Sequence, residues 1–269
     1  MINMKSKVDL YSGTYKNYAE DLYKEIRMDT YGMDIGQNSW LTADEYRDFS
    51  VVLKLSHGKK VLEIACGSGG PAVFMVKETG CHLTGIDINE NGVTNAKILA
   101  AENGLSEQTE FLQADASETL PFPDEYFDAI VSIDSMTHIK DRDKVLTEFY
   151  RVLKTGGRLL YTDSTVVTGI LTNIEIAVRS SIGFFLFAPL GENERLLKQA
   201  GFNDIQSRDV TDSMATVSIK WHNAREKRKD SLLEIEEVNN FEGLQAFFKM
   251  VHIVSSERRL SRIMYAAAK

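Results

Sequence analysis

"VLEIACGSGG", residues 61–70, joins an apolar run containing one acid to a glycine-rich turn. It reads as a buried strand entering a loop, with "GPAVFMVKET" as the helix that follows. Gly67, Gly69 and Ala72 fit G-x-G-x-x-A, one form of the dinucleotide fingerprint, in which glycines let backbone approach a nucleotide-bearing cofactor at a helix N-terminus. Such a loop serves several chemistries, and the residues downstream must choose among them.

Outward from this loop, strands and helices alternate. "HLTGIDI" is a second strand and "NGVTNAKILAAENG" the next helix; "TEFLQAD" and "YFDAIVSID" are the third and fourth strands. The helix "DKVLTEFYRVLK" is expected to stop at Gly156 and Gly157, and "RLLYTD" is a fifth strand. This alternation implies a parallel sheet covered on both faces. Past Asp163 it loosens. A helical stretch carrying Phe184, Phe185 and Phe187 precedes "NERLLKQAGF", "NDIQSRDV" is a sixth strand, and "RIMYAAAK" closes as a seventh. The expected architecture is a doubly wound, mostly parallel seven-stranded α/β sheet of Rossmann-like type. Helical insertions at about 164–190 and 213–259 would cover the carboxyl ends of the strands, where such sheets bind ligands. Residues 1–50, rich in tyrosine, are expected to form an N-terminal helical lid on a cofactor-binding domain of residues 51–269. Tyr11, Tyr15 and Tyr18 stand four and three apart, the spacing of one helical face.

Composition narrows the function classes. The 269 residues carry 31 basic and 39 acidic side chains, a net charge of −8 that opposes a phosphate backbone, so no nucleic-acid partner is expected. The one basic run, "REKRKD" at 225–230, reads as a solvated helix face. Two cysteines, Cys66 and Cys81, make neither a disulfide framework nor a cysteine zinc site. The opening "MINMKSKVDLYSG" lacks the apolar core of a secretory signal, and the longest apolar run, "IGFFLFAPL" at 182–190, is too short to cross a bilayer. A soluble, cytoplasmic protein without a membrane partner is expected; oligomeric state is not legible. His57, His82, His222 and His252 read as structural, with no spacing that suggests a metal site.

Three acids decide among the cofactors. Asp87 follows Gly67 by 20 residues at the end of the second strand, where a carboxylate accepts hydrogen bonds from ribose hydroxyls. On that feature a nicotinamide oxidoreductase stays open. Glu63, however, lies inside the first strand, where a buried carboxylate needs a cation or several donors. The amino group of a bound amino acid meets that need, and a pyrophosphate would be repelled. Asp115, after the third strand, is placed to accept from an adenine amino group, and residues 65–71 hold no basic side chain to offset two phosphates. A row of acids across three strand ends suits a nucleoside with an amino-acid tail and a positive charge, which is S-adenosylmethionine.

"VLEIACGSGG", "GIDIN", "ADASETLPFPDEYFDAIVS" and "RVLKTGGRLLYTD" together resemble the successive motifs of class I S-adenosylmethionine-dependent methyltransferases, over roughly residues 60–163. "SIDSMTHI" and the late helical insertion resemble the small-molecule branch that includes phosphoethanolamine and sarcosine/dimethylglycine N-methyltransferases. The resemblance implies that Glu63, Ala65, Gly67 and Gly69 hold the methionine part of the cofactor. It implies Asp87 and Ile88 at ribose and adenine, Asp115 and Ala116 at adenine, and Ile133 and Asp134 near the sulfonium, with S-adenosylhomocysteine as product. It further implies His138 as a base acting with an N-terminal tyrosine, here Tyr18, or Tyr15 if the lid shifts by one turn.

The acceptor pattern departs from the phosphobase group. Between Asp163 and Leu190 there is no tyrosine and a single basic residue, Arg179, where that group carries tyrosines and basic residues that grip phosphate. Phe184, Phe185, Trp40 and Tyr15 are instead candidate walls for an apolar or aromatic small acceptor. The expected activity is methyl transfer to nitrogen, oxygen or carbon of such a metabolite. The alternatives are a nicotinamide oxidoreductase on the same sheet, for which no clear second substrate domain is found, and a non-catalytic S-adenosylmethionine-binding protein. The lid-like insertions speak against the latter, because excluding water serves chemistry.

Overall fold

The computed structural model describes residues 8–269. The first seven residues of the expected lid, and with them most of the segment read as lacking a secretory signal, lie outside the described residues. Three N-terminal helices, α1 (Tyr11–Lys16), α2 (Asp21–Tyr31) and α3 (Ala43–Val52), precede the sheet. Then come β1 (Lys60–Ile64), α4 (Gly70–Thr79), β2 (His82–Asp87), α5 (Glu90–Glu102), β3 (Thr109–Gln113), β4 (Phe127–Ser132), α6 (Arg142–Val152) and β5 (Leu153–Val167). The late part holds α7 (Asn173–Arg179), β6 (Ala188–Pro189), α8 (Glu192–Gln199), β7 (Asn203–Asp209), α9 (Thr211–Lys227), α10 (Lys229–Leu233), α11 (Val238–Ser256) and β8 (Leu260–Ala268).

The strands lie in the order β3-β2-β1-β4-β5-β8-β7, parallel except for β8, which runs antiparallel to both β5 and β7. All seven expected strands are in this sheet. An eighth, the two-residue β6, pairs with the end of β5 through Val166 and Val167. The order turns back between β1 and β4, so the β1–α4 loop opens at the switch point where doubly wound sheets bind ligands.

Alternation along the strands sorts side chains to the two faces. Val61, Ala129, Val131 and Leu160 enter the core beneath α3, α4 and α5, while Leu62, Ile130, Leu159 and Tyr161 enter the one beneath α6 and α8. A third core, with Trp40, Phe185, Trp221, Phe247 and Phe248, joins the N-terminal helices to α9 and α11. Among the described residues no helix is long and apolar enough to cross a membrane.

Several boundaries differ from expectation. α6 stops at Val152 because Leu153 pairs at once with Phe127, so Gly156 and Gly157 lie inside β5 rather than ending the helix. β5 runs on to Val167, paired with Leu260 of β8; the insertion expected from residue 164 therefore starts later, and its phenylalanines follow α7 instead of lying in a helix. The basic run is not simply solvated: Arg225 is buried against Glu236, and Lys227 and Arg228 pair with Asp29 and Glu25 of α2. Most consequentially, α1 ends at Lys16, so Tyr18 leaves the face that Tyr11 and Tyr15 share.

Candidate active site

The glycine loop forms a tight turn because its backbone needs the left-handed region. Gly67 and Gly69 have φ of 55° and 74°, and a Cβ on Gly69 would stand 2.6 Å from Cβ of Ala96. A side chain at Gly67 would meet the hydroxyl of Tyr15 at 3.1 Å, so the loop is cut to the shape of the helix that covers it. The Gly67 amide donates to Asp87 at 2.8 Å and the Asn89 amide to its other oxygen at 2.8 Å, which fixes the acid at the end of β2. Both oxygens keep a further acceptor site.

Glu63 is 4% exposed. Tyr46 donates to one of its oxygens at 2.9 Å, while the other, Oε2, has no partner and the side chain faces the central cavity. Burial, with a further push from Asp87, raises its carboxyl to about 7 against the pull of the Tyr46 hydrogen bond. The cavity also carries a second unpartnered acceptor oxygen, Oδ1 of Asn38. Two bare acceptor oxygens in one cavity call for a donor such as an ammonium group, and they oppose a pyrophosphate.

Across the cavity, His138 sits in a single 3-10 turn after β4. Its Nδ1 lies 2.8 Å from the carbonyl oxygen of Phe184, which can only accept, so Nδ1 carries the proton. Nε2 is then a bare acceptor, and the Tyr11 hydroxyl donates to it at 2.8 Å. Burial pushes the imidazole down to about 4, so it is neutral at ordinary pH. Burial likewise raises the Tyr11 phenol far above its ordinary range.

Of the expected site residues, Glu63, Ala65, Gly67, Ile133 and Asp134 line this cavity, and so do Tyr15, Trp40, His138 and Phe185. Asp134, with φ of 53°, turns its carboxylate away from open space. It accepts from Arg262 of β8 at 2.7 Å, from the Thr162 hydroxyl at 2.9 Å and from the Trp40 amide at 3.1 Å. Gly69, Asp87, Ile88, Asp115 and Ala116 lie outside the cavity wall, at the loop turn and beyond β2 and β3. Ile88 is 66% exposed there, and Asp115 accepts from the Ser117 amide at 2.8 Å.

Two expected residues are elsewhere. Tyr18 stacks beneath the Arg27 guanidinium, 4.6 Å from its ring centre, in a separate depression floored by Gly36 and Gly70; the end of α1 at Lys16 puts it there, and Tyr11 holds the position beside His138. The ring of Phe184 is exposed under Lys140, and only its carbonyl serves the site. Sequence reasoning missed Tyr11 as the partner, although its spacing to Tyr15 was visible, and missed Asn38, which no motif marks. Arg179, noted as the lone basic residue of its segment, lines the cavity fully buried.

Residues 62–161 match the family model described as a methyltransferase domain. The chain is 36% identical over 166 residues to methyltransferase GfsG of Streptomyces halstedii, covering 60% of this chain and 58% of that one. It is 30% identical over 221 residues to 27-O-demethylrifamycin SV methyltransferase of Amycolatopsis mediterranei, covering 81% and 80%. The chain spans 58%, 26% and 37% of the length of the first three curated relatives it matches. The fold is that of Haemonchus contortus phosphoethanolamine N-methyltransferase 2, solved with phosphomonomethylethanolamine and S-adenosylhomocysteine, at a TM-score of 0.80 and 23% identity over 96% of this chain and 59% of that one. Sheet, glycine loop and relatives agree: the chain belongs to the S-adenosylmethionine-dependent methyltransferases.

Proposed function

We propose that the protein transfers a methyl group from S-adenosylmethionine to a small acceptor with an apolar or aromatic body, at the cavity between the glycine loop and His138. The observation that carries this reading is the bare carboxylate oxygen of Glu63 in the same cavity as a neutral histidine. One end of the site is prepared for an ammonium group and the other for taking a proton.

The residues fit the donor. Glu63 and Asn38 would hold its amino group, the loop from Ala65 to Gly69 its methionine chain, Asp87 its ribose, and Ile88, Asp115 and Ala116 its adenine. Ile133 would lie near the sulfur, and Asp134 would act indirectly, by holding the Trp40 amide. When bound, S-adenosylmethionine supplies a methyl group already activated by a sulfonium.

The chain's own task is then alignment, exclusion of water, and proton removal where the acceptor requires it. Alignment of reacting groups lowers a barrier by about 7–11 kcal/mol. Tyr15, which packs over Gly67 and whose carbonyl accepts from Asn95 at 2.8 Å, closes α1 over the loop and keeps water out. Trp40, Phe185 and Tyr15 would form the walls for the acceptor. His138 would draw a proton through Tyr11: the phenol passes its hydrogen to Nε2 as it takes one from the acceptor. That relay accounts for a base held neutral and a tyrosine held protonated in a buried site.

The test is release of S-adenosylhomocysteine on incubation with S-adenosylmethionine and a library of small aromatic and apolar nucleophiles. Acceptor-dependent release that His138→Asn suppresses supports the proposal; a protein that binds the donor and methylates nothing in the library points to a non-catalytic binding role.

A further inference from the structure

Five arginines are buried among the described residues. Arg27 pairs with Asp34 at 2.9 Å, Arg142 with Asp163 at 2.6 Å, Arg225 with Glu236, and Arg262 with both Asp134 and Glu45 at 2.7 Å. Arg179 has no carboxylate. Its one hydrogen bond runs from Nη2 to the Ser164 hydroxyl at 3.3 Å, and Nε and Nη1 have no partner. Taking a guanidinium out of water without acceptors is strongly unfavourable, and four of the five sites obey that rule.

The exception faces the cavity. Arg179 ends α7, lies 4.1 Å from the ring centre of Phe185 and 5.3 Å from that of Phe247, and lines the same space as Tyr11 and His138. The rings hold the planar group in place and supply no acceptor oxygen. Burial pulls the guanidinium down to about 10, so it stays charged at neutral pH, with Asp134 and Asp163 acting on it only from a distance.

We infer that Arg179 receives a carboxylate carried by the methyl acceptor, whose apolar or aromatic body lies against Phe185, Phe247 and Trp40. This deepens the function proposed above and rests on it. Beside the free Nε and Nη1, Nη2 keeps a second hydrogen, so a two-pronged edge of the guanidinium remains to match the paired oxygens of a carboxylate. Among the described residues the cavity wall offers one positive charge, that of Arg179, and no lysine, which balances a single negative charge. A doubly charged phosphate would leave excess negative charge close to Glu63 and Asp134.

The test titrates the full chain, with S-adenosylhomocysteine present, against benzoate, its neutral isostere benzamide, and inorganic phosphate. Benzoate is expected to bind about tenfold or more tightly than benzamide, because a charge-assisted bond replaces a neutral one, and more tightly than phosphate. Arg179→Met is expected to erase the preference while leaving S-adenosylhomocysteine affinity unchanged. It should also raise the melting temperature of the empty protein by about 2–4 °C, since an unpaired buried charge is replaced by an apolar chain of similar length. A purely structural arginine would give the opposite thermal shift. Arg179→Lys, which keeps the charge and loses the fork, should retain part of the preference and serves if the methionine variant does not fold. Equal response to benzoate and benzamide, whether both bind or neither does, overturns the inference; so does tighter binding of phosphate, or a preference that survives in Arg179→Met. Failure of S-adenosylhomocysteine to bind would instead count against the donor site, a result read separately from the benzoate–benzamide difference.

Discussion

The Tyr11 hydroxyl lies 2.8 Å from Nε2 of His138, and the carbonyl of Phe184 holds the other ring nitrogen at 2.8 Å. The imidazole is thereby fixed in one tautomer with its basic nitrogen facing a phenol. If this pair moves the acceptor's proton, Tyr11→Phe and His138→Ala should each lower kcat by about 10²–10⁴-fold. The double variant should be scarcely worse than either single one, since residues acting as a unit are not additive. Tyr18→Phe should keep the wild-type rate. Steady-state kinetics on the four proteins checks this, and independent effects of the two substitutions would contradict the pairing.

The same burial sets a pH dependence. His138 is neutral down to about pH 4, so the acid limb of the rate should fall near 4 instead of near the ordinary imidazole value of 6.5. Stability follows with a definite sign. The unfolded imidazole gains a proton as pH falls through 6.5 and the folded one does not, so this stabilisation is fully present above about 6.5 and declines toward pH 4. Urea unfolding of wild type and His138→Asn at pH 7.5 and pH 5 should show the wild type losing stability relative to the variant as the pH falls.

Glu63 acts in the opposite sense. Its folded carboxyl titrates near 7 against an ordinary 4.5, so its contribution is present below about pH 4.5 and is lost as pH rises through 7, on the order of 3 kcal/mol in all. Glu63→Gln should therefore make the empty protein more stable at pH 8 while weakening S-adenosylhomocysteine binding by about 10-fold or more. Because an ammonium partner favours the ionised acid, binding at pH 6 should release a proton. Titrations in two buffers of different ionisation enthalpy measure that release; Glu63→Gln should show none.

Arg262 ties α3 to the sheet. It is 0% exposed, and its guanidinium meets Asp134 and Glu45 at 2.7 Å each and the Ser213 hydroxyl at 2.8 Å. Removing one partner of such a group leaves buried charge uncompensated, so Arg262→Ala should destabilise the fold by about 3–5 kcal/mol. Arg262→Lys should recover only part of this, because an ammonium cannot reproduce the two-sided contact. Chemical denaturation measures both; a loss below about 1 kcal/mol, the range of exposed pairs, would show that the cluster does not hold α3 to the sheet.

What the sequence disclosed depended on how local each feature is. The β1–α4 loop carries its own instructions: an apolar run, glycines where φ is positive, and an acid 20 residues on that returns to the Gly67 amide. Such short-range patterns made the strand series and the cofactor end readable. The acceptor end is built from long-range meetings. Tyr11 and His138 are 127 positions apart, and Asp134 and Arg262 128 apart. No periodicity links them. The resemblance points to Tyr18 as the tyrosine beside the histidine, but α1 ends at Lys16 and the chain turns at Asn17, whose amide bonds back to Gly13, so Tyr11 takes that place. Arg179 was visible as a lone cation, but its lack of a partner exists only once the fold has placed the other four buried arginines beside carboxylates.

Calorimetric titration of the purified protein with S-adenosylhomocysteine and, in parallel, with NADH decides whether the loop following β1 is a methyl-donor site. Micromolar binding of the first and none of the second is expected. Binding of NADH without S-adenosylhomocysteine would contradict it, and the free oxygen of Glu63 would then need another partner.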